Sequence, residues 1–288
     1  MIYCITSARE AGDCMIHFTK MHGLGNDYLF VYGTPPADAP ALSRVLSDRH
    51  CGVGSDGMIW ITPPSSPEAD FGMRVFNADG SEAQMCGNGI RCVGKYVYDR
   101  RLTDKTELNI DTPAGIRTLI LHPAPDDPSR IAAVTVDMGC AAVSEPVTLD
   151  AGHGIVSAVC VSVGNPHAVV FTDDAAHFPM EVLAAVSEHR CFPGGVNAEC
   201  AEMVSPTVIR MRVHERGSGV TRACGTGACA VCAAAVRHGD SPTDVPITVI
   251  LDGGELTVTV GTDGRVRMTG EAVCVCEGTA DANLIGKT

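Results

Sequence analysis

Two cysteines in this chain stand where sulfur is made reactive: Cys86 in Met85-Cys86-Gly87-Asn88-Gly89 and Cys224 in Ala223-Cys224-Gly225-Thr226-Gly227. Each precedes a Gly-X-Gly and then a segment with helical character. After Cys86 the apolar residues Ile90, Val93, Tyr96 and Val97 recur at helical spacing, and Ala228 to Val236 is dense in small helix formers. A thiol at a helix start lies beside unsatisfied N–H groups and the positive end of the helix dipole, and both favour thiolate over thiol. The glycines let backbone approach a ligand, and the free amides suit a carboxylate.

The surroundings of the two cysteines match as well. An arginine stands twelve residues before each, in Met73-Arg74-Val75 and Met211-Arg212-Val213. A Gly-Asn pair lies further upstream, before a β-rich run: Gly25-Asn26 and Gly164-Asn165. A hairpin signal follows each helix, at Pro113-Ala114-Gly115 and at Asp252-Gly253-Gly254. The period is close to 139 residues, half of the 288, so the sequence reads as a duplicated domain.

These elements set the expected organisation. Residues 1–14 form an extension, 15–128 a first domain to which a C-terminal strand at 271–288 returns, and 129–270 a second domain. His122 to Arg130, proline-rich and polar, is the expected linker. Strands dominate, with short helices expected from Pro40 to Asp48 and from Pro179 to Glu188 and one long helix per half. The expected fold class is α+β: two pseudo-symmetric domains, each a curved, mostly antiparallel sheet wrapped around a central helix.

Composition narrows the partners. The formal net charge of −13 and the lack of a basic cluster argue against nucleic acid. Hydrophobic content of 45% without a long apolar run argues for a soluble globular chain with no membrane span. The first fourteen residues lack the pattern of a signal peptide, so the fourteen cysteines read as reduced thiols in the cytoplasm. The spacing Cys229-x-x-Cys232 has no second pair to complete a metal site, and the Cys51-to-Gly57 loop does not extend to a dinucleotide fingerprint. His50, His153 and His189 have no partner pattern and read as surface residues.

Paired thiols from two related domains would face one cleft from opposite sides. One thiolate removes a proton from carbon while the opposing thiol delivers one to the other face, which inverts the centre. An unperturbed thiol pKa of about 8.5 suits that task. The amides at Gly87, Asn88, Gly225 and Thr226 are placed to hold a carboxylate as charge grows next to it. No cofactor and no metal is needed. Only Lys20, Lys95, Lys105 and Lys287 could carry a pyridoxal Schiff base, and none lies in a phosphate-site loop.

His22-Gly-Leu-Gly-Asn-Asp27, Phe76-Asn-Ala-Asp-Gly-Ser-Glu82, the two cysteine motifs, Gly164-Asn-Pro-His167 and Glu215-Arg-Gly217 together resemble the diaminopimelate epimerases, from Met15 to about Gly278. The resemblance implies a cofactor-independent epimerase that interconverts L,L- and meso-diaminopimelate in lysine and peptidoglycan precursor synthesis. Cys86 and Cys224 match the catalytic thiols, and His167 and Glu215 match residues that tune them. Asn26, Asn77, Asn165, Asn197 and Arg216 match groups that hold the substrate, with Gly87, Asn88, Gly225, Thr226 and Glu215. It also implies a homodimer and a cleft that closes on a small diamino dicarboxylate.

Three positions depart from the family pattern. Gly57 stands where many members carry glutamine, Val220 where glutamate is frequent, and Phe192-Pro-Gly-Gly195 lacks an acidic residue after proline. The nearest rival is a proline or hydroxyproline racemase of the same architecture, which usually has histidine where Asn88 stands. A thiol redox protein using Cys86 and Cys224, and a non-catalytic carboxylate-binding module, are rivals from other classes.

Overall fold

The computed structural model describes residues 15–152 and 154–284, so the expected extension at 1–14 and His153 lie outside the described residues. It divides into two units, one of residues 15–134 and 271–284 and one of residues 135–270.

The first unit opens with strands β1 (Met15–Gly23) and β2 (Asn26–Tyr32), then helix α1 (Ala39–Ser47) and strands β3 (Gly57–Thr62), β4 (Phe71–Asn77) and β5 (Glu82–Ala83). Helix α2 (Gly87–Asp99) and the pair β6 (Glu107–Asp111) and β7 (Arg117–Pro123) follow. Strand β8 (Ile131–Cys140) crosses into the second unit, which continues through β9 (Ala142–Asp150), β10 (Ile155–Ser162), β11 (Pro166–Phe171), α3 (Met180–Ser187), β12 (Asn197–Ser205) and β13 (Val208–Glu215). It is completed by β14 (Gly219–Thr221), α4 (Gly225–His238), β15 (Ile247–Leu251), β16 (Gly254–Val260) and β17 (Arg265–Glu271). Strand β18 (Val273–Asp281) pairs antiparallel with β1, from Met15↔Asp281 to His22↔Val273.

The duplication is visible in the pairing. β2 runs parallel to β3 as β11 does to β12, each joined by a short helix. β3 is antiparallel to β4 as β12 is to β13. β4 is parallel to β6 as β13 is to β15, across the long helix in each case. Register aligns the units residue by residue. Leu29↔Met58 corresponds to Ala168↔Ala198, so Tyr28 and Gly57 occupy the places of His167 and Asn197, and Ile59 that of Glu199.

Each long helix is buried because its own sheet curves around it. α2 packs on β1, β2 and β7, with Asn88 to Val97 all out of solvent. Gly94 permits the close approach, since a Cβ there would fall 2.8 Å from Leu121 Cδ2. α4 packs on β9 through β13 and on β16. It achieves this with small side chains, Ala228, Ala230, Ala234 and Ala235 being fully buried, and ends on Gly239 in the left-handed region. On the outer faces α1 packs Leu42 and Leu46 against Met58 and Trp60, and α3 packs Leu183 and Val186 against Ala168 and Val170. Both helical CxxC cysteines, Cys229 and Cys232, lie buried within α4. Among the described residues no helix is long and apolar enough to cross a membrane.

The boundary differs from the expected break at 128/129. The division falls inside β8, after Val134, rather than in the proline-rich stretch. The start of β8 is fastened to α2: Lys95 Nζ donates to Ile131 O at 2.5 Å and Ile131 N to Asp99 Oδ1 at 2.8 Å. Of the histidines expected at the surface, His50 is exposed, whereas His189 is half-buried and its Nδ1 accepts from Cys191 N at 3.2 Å.

Candidate active site

Cys86 is the N-cap of α2, with φ −136° and ψ 114°, and its sulfur accepts from Gly89 N at 3.3 Å. Cys224 is the N-cap of α4, with φ −126° and ψ 110°, and its sulfur accepts from Gly227 N at 3.4 Å. Cysteine thus fills the place usually taken by serine or aspartate, and the third-residue glycine is what brings N–H and sulfur together. Gly87 and Asn88, like Gly225 and Thr226, are the first two residues of their helices, so their amides have no carbonyl within the helix to bond. The helix dipole adds positive potential at the same point.

In the first unit Cys86 Sγ lies 3.5 Å from Asn26 Oδ1, which also accepts from Asn88 Nδ2 at 3.4 Å. Asn26 is itself held through its Nδ2 by Asp56 Oδ2 at 2.8 Å. The fully buried Arg91, one turn into α2, fixes this arrangement from below. Its Nη2 donates to Asn88 Oδ1 at 3.0 Å and its Nη1 to Gly87 O at 3.1 Å. Asn77 ends β4 opposite Gly57, where its Nδ2 donates to Ser81 Oγ at 3.0 Å; no described hydrogen bond joins it to the thiol.

The missing side chain at Gly57 has a structural reason. A Cβ there would fall 2.2 Å from Phe76 O and 2.9 Å from Tyr28 Cε1. Tyr28 lies against the glycine, its hydroxyl within hydrogen-bonding reach of Cys86 and Asn26. Burial first, and then Cys86, push that phenol above its usual range. Tyr28 was not marked by the sequence, because only the parallel register of β2 and β3 sets it beside Gly57. Val220 is exposed on β14.

In the second unit Cys224 is buried and its Sγ lies 3.4 Å from Thr226 Oγ1. Asn165 Nδ2 donates to Thr226 Oγ1 at 3.3 Å, while Asn165 Oδ1 sits 3.1 Å from His167 Nε2. His167 Nδ1 lies 2.7 Å from Glu199 Oε1, with both side chains fully buried. Glu215 accepts from Thr221 Oγ1 at 2.5 Å and shares a hydrogen bond with Cys224. Burial pushes the Glu215 carboxyl up from its ordinary value, and Glu199 adds to that. Burial, then Glu215 and Glu199, push the Cys224 thiol well up, against the opposing pull of Thr226 and Gly227.

Asn197 and Arg216 form a separate group beside His167. Asn197 is the strand partner of His167, and its Oδ1 accepts from Arg216 N at 2.9 Å. Arg216 lies across Gly194 and Gly195, with Nη1 donating to Gly194 O at 3.1 Å. Arg216 is exposed, and among the described residues no ion pair joins it to Glu215. Glu199 is the residue of this unit that the sequence reading passed over. Its signal was a carboxylate amid small apolar residues in Asn197-Ala-Glu-Cys200, at the start of a buried strand.

The sequence profile of the diaminopimelate epimerase family matches residues 18–143 and 159–275. The chain belongs to that family. A diaminopimelate epimerase of Agathobacter rectalis is 44% identical, over 92% of this chain and 99% of its own. Those of Methanococcus maripaludis and Bacteroides thetaiotaomicron are 45% and 48% identical, over 92% and 91% of this chain. Among solved structures, a hydroxyproline epimerase from Agrobacterium vitis superposes with a TM-score of 0.72 at 16% identity, covering 96% of this chain and 95% of that one. A PhzF-family phenazine biosynthesis protein from Bacillus anthracis gives 0.70 at 18%, covering 92% and 99%. At such identities the likeness is one of fold. Within the diaminopimelate epimerase family, then, this chain carries both N-capping thiols and sets glycine and tyrosine together at positions 57 and 28.

Proposed function

We propose that this chain is an isomerase that interconverts L,L- and meso-diaminopimelate by a two-thiol, cofactor-independent proton transfer, in lysine and peptidoglycan precursor synthesis. The observation that carries it is the matched pair of N-capping cysteines, each taking an N–H from the third residue of the helix it begins. In this reading Cys86 and Cys224 address opposite faces of one α-carbon. A thiolate takes the α-proton and becomes a thiol, the electron pair is left on carbon, and the opposing thiol returns a proton and becomes the thiolate. The product leaves the pair with thiol and thiolate exchanged. Cys224, among Glu199 and Glu215, begins as the protonated partner.

The acidity of the α-carbon is the obstacle, and the helix starts address it. Amides of Gly87, Asn88, Gly225 and Thr226 hold the adjacent carboxylate where charge develops, without reorganising during the step. Arg216 grips the distal carboxylate with parallel donors, while Asn26, Asn77, Asn165 and Asn197 orient the two ends. Glu215 accepts from an ammonium, and with His167 tunes Cys224. Binding at the distal end supplies energy that aligns the reacting one. We further propose a homodimer, supported by Val273 and Val275 standing exposed on β18, and a cytoplasmic location, supported by the free state of every cysteine among the described residues.

The test is incubation with L,L-diaminopimelate in deuterium oxide without added cofactor, followed by chiral separation and mass analysis. Deuterium enters the α-carbon as meso product accumulates, and Cys86→Ala and Cys224→Ala each stop both. Inversion of L-proline instead, or full activity in either variant, would overturn the assignment.

A further inference from the structure

Glu199 carries a charge-bearing group into a place where the fold does not need one. Its side chain is fully buried on β12, under the first turn of α4, and its Oε2 has no hydrogen-bond partner among the described residues. In the first unit the same strand position, under the first turn of α2, is Ile59, whose Cδ1 would lie 2.4 Å from a Cβ on Gly89. A hydrocarbon therefore fills the equivalent space in an equivalent fold. An unpaired buried carboxylate oxygen is unfavourable, so packing does not explain the residue.

What distinguishes Glu199 is where its other oxygen leads. From Oε1 a continuous chain runs to His167 Nδ1 at 2.7 Å, from His167 Nε2 to Asn165 Oδ1 at 3.1 Å, and from Asn165 Nδ2 to Thr226 Oγ1 at 3.3 Å. It ends on Cys224 Sγ, 3.4 Å from Thr226 Oγ1. We propose that Glu199 is a positioning residue for Cys224, acting through His167, Asn165 and Thr226 to turn the threonine hydroxyl hydrogen onto the sulfur. The proposal rests on the reading of Cys224 as an acid/base thiol.

The direction of each bond follows from its neighbours. Asn165 gives its amide hydrogen to Thr226, so its carbonyl oxygen faces His167, and His167 Nε2 must carry a hydrogen. His167 Nδ1 and Glu199 Oε1 then share one further proton, and the pair is net neutral wherever that proton sits. Thr226 oxygen already accepts from Asn165, which leaves its single hydrogen for Cys224. With Gly227 N–H this gives the sulfur two donors, and two donors stabilise the thiolate that forms when Cys224 releases its proton. The titratable groups facing Cys224 are Glu199 of β12 and Glu215 of β13, with His167 of β11 facing both carboxylates. Glu199 as a lone carboxylate would push the Cys224 thiol up. The proton it shares with His167 makes the pair neutral as a unit and offsets that push, so replacing Glu199 by a neutral residue changes the anchoring of the chain and not its net charge.

The experiment follows alkylation of Cys224 by iodoacetamide against pH in the full-length protein, without substrate, with Cys86 read in the same digest as reference. Glu199→Gln keeps an N–H for His167 Nδ1, and Glu199→Leu gives the hydrocarbon found in the other unit. The midpoint for Cys224 is expected to rise by about one pH unit in Glu199→Leu and by less than about a third of a unit in Glu199→Gln, with Cys86 unmoved. Thr226→Val, which leaves the core intact, produces the same rise, and the double variant with Glu199→Leu rises no further. An unmoved Cys224 midpoint in Thr226→Val or Glu199→Leu, an equal shift at Cys86, or additive shifts in the double variant would overturn the proposal. The readout needs no diaminopimelate, so a chain that shows these shifts yet inverts no substrate refutes only the assignment of activity.

Discussion

Gly227→Ala tests how tightly the first turn of α4 is bound to the carboxylate beneath it. A Cβ at that position would lie 2.8 Å from Glu199 Oε1 and 3.3 Å from both Glu199 Cγ and Cys224 Cβ. Ordinary contact begins near 3.4 Å, so the oxygen must retreat by about 0.6 Å. It has nowhere to go without leaving His167, since the side chain is fully buried and its bond to Nδ1 is 2.7 Å long. Overpacking costs about 1–3 kcal/mol. Alanine in place of a helical glycine returns at most about 1 kcal/mol, less in a first turn. The expected net loss is about 1–2 kcal/mol, read as a fall of roughly 2–8 °C in melting midpoint for a unit of this size. Activity falls about ten-fold, because the displaced carboxylate no longer fixes the chain to Cys224. The assay is thermal and urea unfolding in a double-mutant cycle with Glu199→Ala. In that background the new methyl occupies vacated space, and the penalty shrinks by at least about 1 kcal/mol. A Gly227→Ala protein as stable as wild type, or an equal penalty in both backgrounds, would show that the contact is not what holds this turn.

Two further outcomes follow from the second unit. Arg216→Lys keeps the charge but loses the parallel donors of a guanidinium and the stacking over Gly194 and Gly195; KM for diaminopimelate rises about ten-fold while kcat changes less than three-fold, measured by steady-state assay. Glu215 has a folded pKa above its unfolded value because of burial, so its contribution to stability is complete below the unfolded pKa and is lost as pH rises through the folded one. Glu215→Gln removes that loss, so the variant melts higher than wild type at pH 8 and no higher at pH 4, with lower epimerase activity. A pH-independent difference in melting midpoint would refute the cause assigned.

The parts of the site made by local bonds were readable in order along the chain. A sulfur that accepts from the amide three residues later needs only a cysteine, a glycine and a helix, and both thiols, their cradles and their duplicated surroundings are of this kind. The α+β class and the central helices follow from the same local patterns. A strand that lacks an apolar alternation was not readable: β9 is largely exposed, so it does not announce itself. Strand register decided the rest. Glu199 is thirty-two residues from His167 and Tyr28 is fifty-eight from Cys86, and only the pairing of β11 with β12, or of β2 with β3, sets them at the thiols. A side chain's type is written in the chain, but its electrostatic environment is a sum over neighbours that folding chooses. The sequence therefore determined which two sulfurs cap the long helices, and the tertiary structure alone decided that one faces a tyrosine and the other a buried carboxylate.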